Sequence, residues 1–174
     1  DATGSVQGGG DAKDIESRIR NAAMATPGAS SDQLAGGLEA FVGKTGDLDV
    51  GKKFLDTMAR ISVATGSSAE EIGSAMADIF SKNNIKSAHE MNEAMSLLAA
   101  QGKKGSFELK DAAKQFPKLL AAGQRFGMGK GVDSLGKLGG IAQIVRGGVG
   151  SSEQATTAIE AMFRQLTAKG GALK

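Results

Sequence analysis

The sequence predicts an all-α fold of about eight short helices, arranged as helical hairpins joined by glycine-rich turns. Apolar residues recur at i, i+3, i+4 and i+7 through most of the chain, the spacing that gives a helix one buried face. No stretch of useful length alternates apolar with polar residues as a half-buried strand does. Glycine, 26 of the 174 residues, repeatedly closes the periodic segments, where the backbone must leave the helical conformation. Aromatic residues are only 4%, with neither Trp nor Tyr, so the core is built from Leu, Ile, Val, Met, Phe and much Ala. Small side chains favour close helix-to-helix approach over a sheet of bulky residues.

The elements follow in order. "DATGSVQGGG", residues 1–10, has almost no apolar content and is expected to be a flexible linker. A single all-α domain is expected over 11–170, with a short tail at 171–174. The first helical stripe is Ile15, Ile19, Ala22 and Ala23, ended by Pro27-Gly28. Ser30 with Gln33 opens a second helix, carrying Leu34, Leu38, Phe41 and Val42, which fades between Gly43 and Gly46. The third, within 47–66, places Phe54, Leu55, Met58 and Ile61 on one face and ends at Gly66.

Two overlapping capping boxes, Ser67 with Glu70 and Ser68 with Glu71, mark the next start, ahead of Ile72, Met76, Ile79 and Phe80. That helix stops near Asn83-Asn84. Ser87 and Glu90 repeat the device before Met91, Met95, Leu98 and Ala99, with Gly102 and Gly105 closing the segment. In 107–127 the stripe is Leu109, Ala112, Ala113, Phe116, Leu119 and Leu120. Pro117 lies inside it without a backbone donor, so a kink or a split into two helices is expected near Phe116. Leu135, Leu138, Ile141, Ala142 and Val145 form a seventh stripe. Ser151 with Gln154 opens the last, which carries Ile159, Met162, Phe163 and Leu166 to Gly170.

Composition excludes several functions. Charged residues are 23% with acids and bases intermixed, and the net charge is +2, so there is no clustered basic footprint for nucleic acid. Without cysteine there are no disulfides, thiolate zinc sites or cysteine nucleophiles. The longest apolar run, "LGGIAQIVRGGV" at 138–149, carries Arg146 and falls short of the roughly 20 residues that span a bilayer. A chain starting at Asp1 is expected to be a fragment or a processed piece.

Candidate chemical motifs dissolve into helix grammar. "GVDSLGKL", Gly131 to Leu138, follows a phosphate-loop pattern through Lys137, but Leu138 replaces the hydroxyl that ligates magnesium and no strand precedes the glycine. It reads as the start of a helix. His89 is the single histidine; Glu93 stands at metal-ligand spacing, but no second histidine supports it. The acid pairs Glu70-Glu71 and Asp47 with Asp49 raise glycoside hydrolysis, which uses two carboxylates across a sugar. Glu70 and Glu71 are explained by a first helical turn, where negative charge is favoured. Lys103-Lys104 reads as a solvated helix end. Met58, Met76, Met91, Met95, Met128 and Met162 fall mostly at core spacing, and Gly136 with Gly140 has the spacing that admits a close helix neighbour. The sequence predicts no catalytic, cofactor-binding or metal site, and no cofactor.

The order of the segments is more specific than their type. "FLDTMARISVATGSSAEEIGSAMADIFSKNNIKSAHEMNEAMSLLAAQGKKGSFELKDAAKQFPKLLAAGQRFGM" resembles the conserved region of phage tail tape measure proteins, the minor-tail family. "ATGSSAEEIGSAMADIF" is similar to that family's paired-helix turn, and "GGVGSSEQATTAIEAMFRQL" to its closing helix, so the similarity covers most of 54–166. The resemblance implies a virion structural protein of the tail, not an enzyme, part of the protein that sets tube length and takes part in DNA delivery. It implies tube and tail-tip components as partners, self-association in the tail lumen, membrane contact only during delivery, and a location in the virion tail after assembly in the host cytoplasm. The heptad-rich rod and membrane-inserting segments of such proteins are missing from these residues, so neither ruler nor pore activity attaches to them. A cell-wall-degrading or a membrane-active helical module carried by a tail protein is the alternative.

Overall fold

A computed structural model describes residues 5–105 and 107–171, with the backbone alone for 5–10, 110, 112, 113, 170 and 171. Among the described residues there are eight α-helices and no strand. They are α1 (Ser5–Ala25), α2 (Ser31–Thr45), α3 (Leu48–Thr65), α4 (Ala69–Asn83), α5 (Ala88–Lys104), α6 (Leu109–Phe126), α7 (Val132–Gly147) and α8 (Ser152–Gly171).

Local chemistry sets most of the boundaries. Of the two overlapping boxes, Ser68 with Glu71 forms: the Ser68 hydroxyl accepts from the Glu71 N–H at 3.1 Å, and the Glu71 carboxylate accepts from the Ser68 N–H at 3.2 Å. Ser87 and Glu90 close a second box at the start of α5. Asp47 caps α3, accepting from the Val50 N–H at 3.0 Å. At the far ends, Gly46, Gly66 and Gly127 take positive φ, and Asn84 does so at φ 57, a conformation that an amide side chain tolerates.

Four expectations change. α1 begins at Ser5, so helical backbone extends through residues 5–10, where a linker was expected; once the packed turns around Ile15 and Ile19 nucleate a helix, each further residue adds a hydrogen bond without a new nucleus. Residues 1–4 and 172–174 lie outside the described residues. Ser30 is extended at the N-cap of α2 but its side chain makes no capping bond. At α8 the Ser151 hydroxyl accepts from the Gln154 N–H at 3.1 Å, but the Gln154 side chain reaches the Gly150 N–H instead, one residue before the box position. Finally, α6 runs unbroken through Pro117. Proline removes one backbone bond there, while burial of Phe116, Leu119 and Leu120 on both neighbouring helices holds the segment together. The predicted stripe residues Ala112 and Ala113 have side chains outside the described residues.

The helices stack in two rows. α2, α4, α6 and α8 pack successively on one another, as do α1, α3, α5 and α7, and consecutive helices bridge the rows. Helices within a row are parallel. Gly37 of α2 lies opposite Ala69 and Gly73 of α4, and further along Lys44 Nζ meets Asp78 Oδ2 at 2.8 Å. Glu71 pairs with Lys114 at 3.5 Å, and further along the Gln124 side chain donates to the Lys82 carbonyl. In the other row Lys52 joins Asp14 at 3.2 Å, and Phe107, just after α5, exchanges two hydrogen bonds with the Gln143 side chain of α7. Caps at Ser30, Ser68, Glu108 and Ser151 recur about 40 residues apart, the spacing of two-helix repeats that stack into solenoids.

One continuous core runs between the rows. Its aromatic centre is Phe41, Phe54 and Phe80, with Phe41 and Phe54 edge to face at 5.4 Å between ring centroids. The tightest approach is α2 on α4. A Cβ at Gly37 would stand 2.6 Å from the Ala69 carbonyl oxygen, and one at Gly73 would stand 2.8 Å from the Gly37 carbonyl carbon. Only glycine allows the two backbones this separation.

Candidate functional site

The residues singled out in the sequence are placed by the fold, and most prove structural. "GVDSLGKL" is the start of α7: Gly131 takes φ 96 as its N-cap, Leu135 and Leu138 are buried, and Lys137 Nζ is held by Asp133 at 2.7 Å. Its amine faces a carboxylate of its own helix rather than a phosphate cradle. The Gly131 N–H and C=O are both taken by Asn83, from backbone and side chain.

His89 and Glu93 are exposed on α5. Glu90, between them, has its carboxyl held below its ordinary value by hydrogen bonds from Ser87, first from the side chain and then from the backbone. Glu70 is exposed and Glu71 is in its capping box, so the two carboxylates do not face one another across a cleft. Asp47 is spent on the α3 cap. Among the described residues no group of three or more His, Cys, Asp or Glu is placed to hold a metal.

Asp49 belongs to a cluster that the sequence reading missed. Lys52, mostly buried, holds Asp49 at 3.0 Å and Asp14 of α1 at 3.2 Å. Both carboxyls are held below their ordinary values, chiefly by the hydrogen bond from Lys52, and the Lys52 amine is raised in turn by Asp49 and Asp14. The i, i+3 spacing of Asp49 and Lys52 was visible; the contribution of Asp14 depends on the α1–α3 packing. The cluster joins helices and presents no free base.

Met58, Met76, Met91 and Met95 are completely buried, as core spacing predicted, whereas Met162 is 36% exposed. In α7 the close approach uses Gly136 and Gly139, against Leu97, Leu98 and Gln101 of α5; Gly140, paired with Gly136 in the sequence reading, faces open space. The successive turns of a helix rotate by 100° per residue, and the third residue on, not the fourth, falls on the α5 side.

A surface concavity of about 440 Å³ lies between the C-terminal halves of α6 and α8. Phe126 and Phe163 stack in its wall with centroids 4.5 Å apart and planes 7° from parallel, and Phe126 remains 40% exposed. Arg125, Arg164 and Glu160 border it. The groove offers apolar contact and ion pairing, with no activated nucleophile or acid–base pair. Its residues are spread over two helices about 40 residues apart in the chain, so only the row packing brings them together. No described helix is long and apolar enough to cross a membrane.

Comparison with known proteins agrees with a structural reading. The family model of phage-related minor tail proteins matches residues 11–174, and the chain belongs to that family. A similar relative is the probable tape measure protein of Burkholderia phage BcepMu, 29% identical over 155 residues. The aligned segment is 89% of this chain but 18% of the relative, so the chain spans less than a fifth of that protein's length. No solved structure matches the chain.

Proposed function

We propose that this phage-related minor tail protein acts as a helical packing module of a tail tape measure protein, serving tail assembly and not bond-making chemistry. The family match across nearly the whole chain, together with the relative named a probable tape measure protein, carries the reading. The two-row stack fits it. Such stacks present long surfaces for protein partners, and the groove between α6 and α8 supplies an exposed aromatic flanked by both charge signs.

In this reading the module sits in the virion tail after assembling in the host cytoplasm. It docks on tube or tail-tip components while the parent protein sets tube length and later takes part in DNA delivery. The whole-protein roles belong to the parent, and the module's own contribution is docking.

The deciding experiment detects peptides containing "ATGSSAEEIG" in purified particles and measures the mass of the polypeptide they come from. The expected result is a chain many times larger than 17.7 kDa that co-purifies with tail tubes. A free protein of about this size, absent from particles, overturns the proposal. In-frame deletion of 54–166 then tests assembly, since normal tails would remove that role from these residues. Zymography on peptidoglycan and dye release from liposomes test the cell-wall-degrading and membrane-active alternatives; no clearing and no leakage are expected.

A further inference from the structure

Acids and bases intermix along the sequence, but the two signs are not shared evenly between the halves of the stack. Residues 1–100 carry 14 Asp and Glu against nine Lys and Arg, and residues 101–174 carry five against 12, so a chain of net charge +2 divides into −5 and +7. Part of the positive excess is ordered. Along α6, Lys114, Lys118 and Arg125 stand at i, i+4 and i+11, within about 40° of one another at 100° per residue, in a stripe about 16 Å long. Lys114 is joined to Glu71 at 3.5 Å. Among the described residues Lys118 and Arg125 have no acidic partner, and neither has Arg164, which faces Arg125 across the groove between α6 and α8. Each arginine turns its Nε onto a carbonyl of its own helix, Arg125 onto Ala121 at 3.2 Å and Arg164 onto Glu160 at 3.4 Å. The terminal guanidinium nitrogens make no hydrogen bond among the described residues.

This groove is not open merely because α8 ends the row. Gly123 of α6 packs on Leu138 of α7, and Arg125, two residues on, lies about 200° further round the helix, so the groove opens on the side away from α7. On α8, Glu160 and Arg164 precede Met162 and Leu166 by two residues each, so they too face away from the edge at which the row stops. The floor is apolar, with Ala122, Ala168 and the exposed ring of Phe126. On the opposite side of the same two helices, α7 already lies against both α6 and α8. A trough between two helices is the seat a third helix takes, and on the outer side its rim carries cations.

We infer that the groove between α6 and α8 docks an acidic amphipathic helix of a partner protein. Apolar side chains of that helix cover Phe126, and its carboxylates, repeated at i, i+4 and i+11, meet the cationic stripe of α6. Arg125 and Arg164 then gain the charge-assisted hydrogen bonds that their own chain does not supply. A nucleic-acid backbone fits the groove less well. Glu160 lies among the arginines and repels phosphate, and three cations without partners are few for a polyphosphate chain. The existence of a partner rests on the docking role proposed above, while its chemistry rests on the charge and shape of the groove alone.

The test is fluorescence anisotropy of the whole chain titrated onto a labelled amphipathic peptide of about 18 residues, with glutamates on one face and leucines on the other. Binding is expected at about 100 µM or tighter and at least about tenfold stronger than to the same peptide with lysine for glutamate. Arg125→Glu and Arg164→Glu should each weaken it about tenfold or more, and Phe126→Ala should weaken it several-fold. The double variant Lys103→Glu, Lys104→Glu adds negative charge away from the groove and should change affinity by no more than about threefold. Far-UV circular dichroism checks that every variant keeps its helix content. Absence of binding overturns the inference, as does an equal loss in the Lys103, Lys104 variant, which signifies long-range attraction without a seat. Tighter binding of an oligothymidylate of about 20 nucleotides, lost on Arg125→Glu, also overturns it in favour of nucleic acid. Each of these failures leaves the particle test of the tape measure reading standing, and failure of that test leaves peptide binding by the groove unchanged.

Discussion

Gly73→Ala is the sharpest test of the stack, because a single methyl is added where two backbones touch. The new Cβ would lie 2.8 Å from the Gly37 carbonyl carbon and 3.2 Å from its Cα. Carbon atoms pack best at about 3.5–4.0 Å, so α2 and α4 must separate by something near 1 Å, and a gap of that size forfeits roughly a quarter to a half of each lining contact. Overpacking a tight site costs about 1–3 kcal/mol, occasionally more, against a gain of about 0.5–1 kcal/mol from replacing glycine inside a helix. A net loss of about 1 kcal/mol is expected, and up to about 2.5 kcal/mol if the backbones cannot part. Gly43→Ala on α2 is the control: the same chemical change meets nothing within 4 Å, and should stabilise by about 0.5–1 kcal/mol. Urea unfolding followed by circular dichroism measures both, with the midpoints moving in opposite directions at unchanged slope. If Gly73→Ala is as stable as Gly43→Ala, the close α2–α4 contact is not what these glycines are for.

The caps, the proline, the acidic cluster and the topology each give a further expectation. Ser68→Ala and Ser87→Ala should each cost about 1 kcal/mol in urea unfolding, since each removes the acceptor of a first-turn N–H, whereas Ser30→Ala, where no capping bond forms, should cost less. Pro117→Ala restores the missing donor in an unbroken helix and should raise the thermal midpoint, by an amount corresponding to at most about 3 kcal/mol. Asp14 and Asp49 are depressed in the folded chain, so their contribution is present above the ordinary aspartate value of 3.8 and is lost as pH falls through the lower folded values. Lys52→Met should therefore flatten the dependence of stability on pH in that acid window, measured by urea midpoints at successive pH values. In optical tweezers, pulling the ends apart should extend the chain in several steps of about one hairpin each, about 40 residues; a single all-or-none extension would contradict the row architecture.

Helix type and most boundaries were legible in the sequence because they are local. Ser87 with Glu90 fixes a start whatever surrounds it, and Gly46, Gly66 and Gly127 fix stops because a left-handed residue is needed there. What remained hidden depends on distance along the chain. The choice between Gly139 and Gly140 rests on where α5 lies, the Asp14–Lys52 pair on the docking of α1, and the α6–α8 groove on two helices brought together by the rows. Met162 and Leu166 show the limit most clearly. Their spacing places them on the apolar stripe of α8 but does not say that the neighbouring helices leave them 36% and 49% exposed.

The row architecture also bears on how such a module would behave in a tail. Among the described residues every substantial contact joins a helix to the next or the next but one, so no late helix packs substantially on an early one. In a domain of high contact order the last hairpin cannot leave until the whole core opens. Here the loss of one end hairpin exposes only its neighbour, and stability is close to a sum over adjacent interfaces. The core is rich in alanine, and single charged pairs such as Lys44 with Asp78 join neighbouring helices at its edge. The fold can therefore be firm as a stack yet yield one hairpin at a time to a load applied at either end.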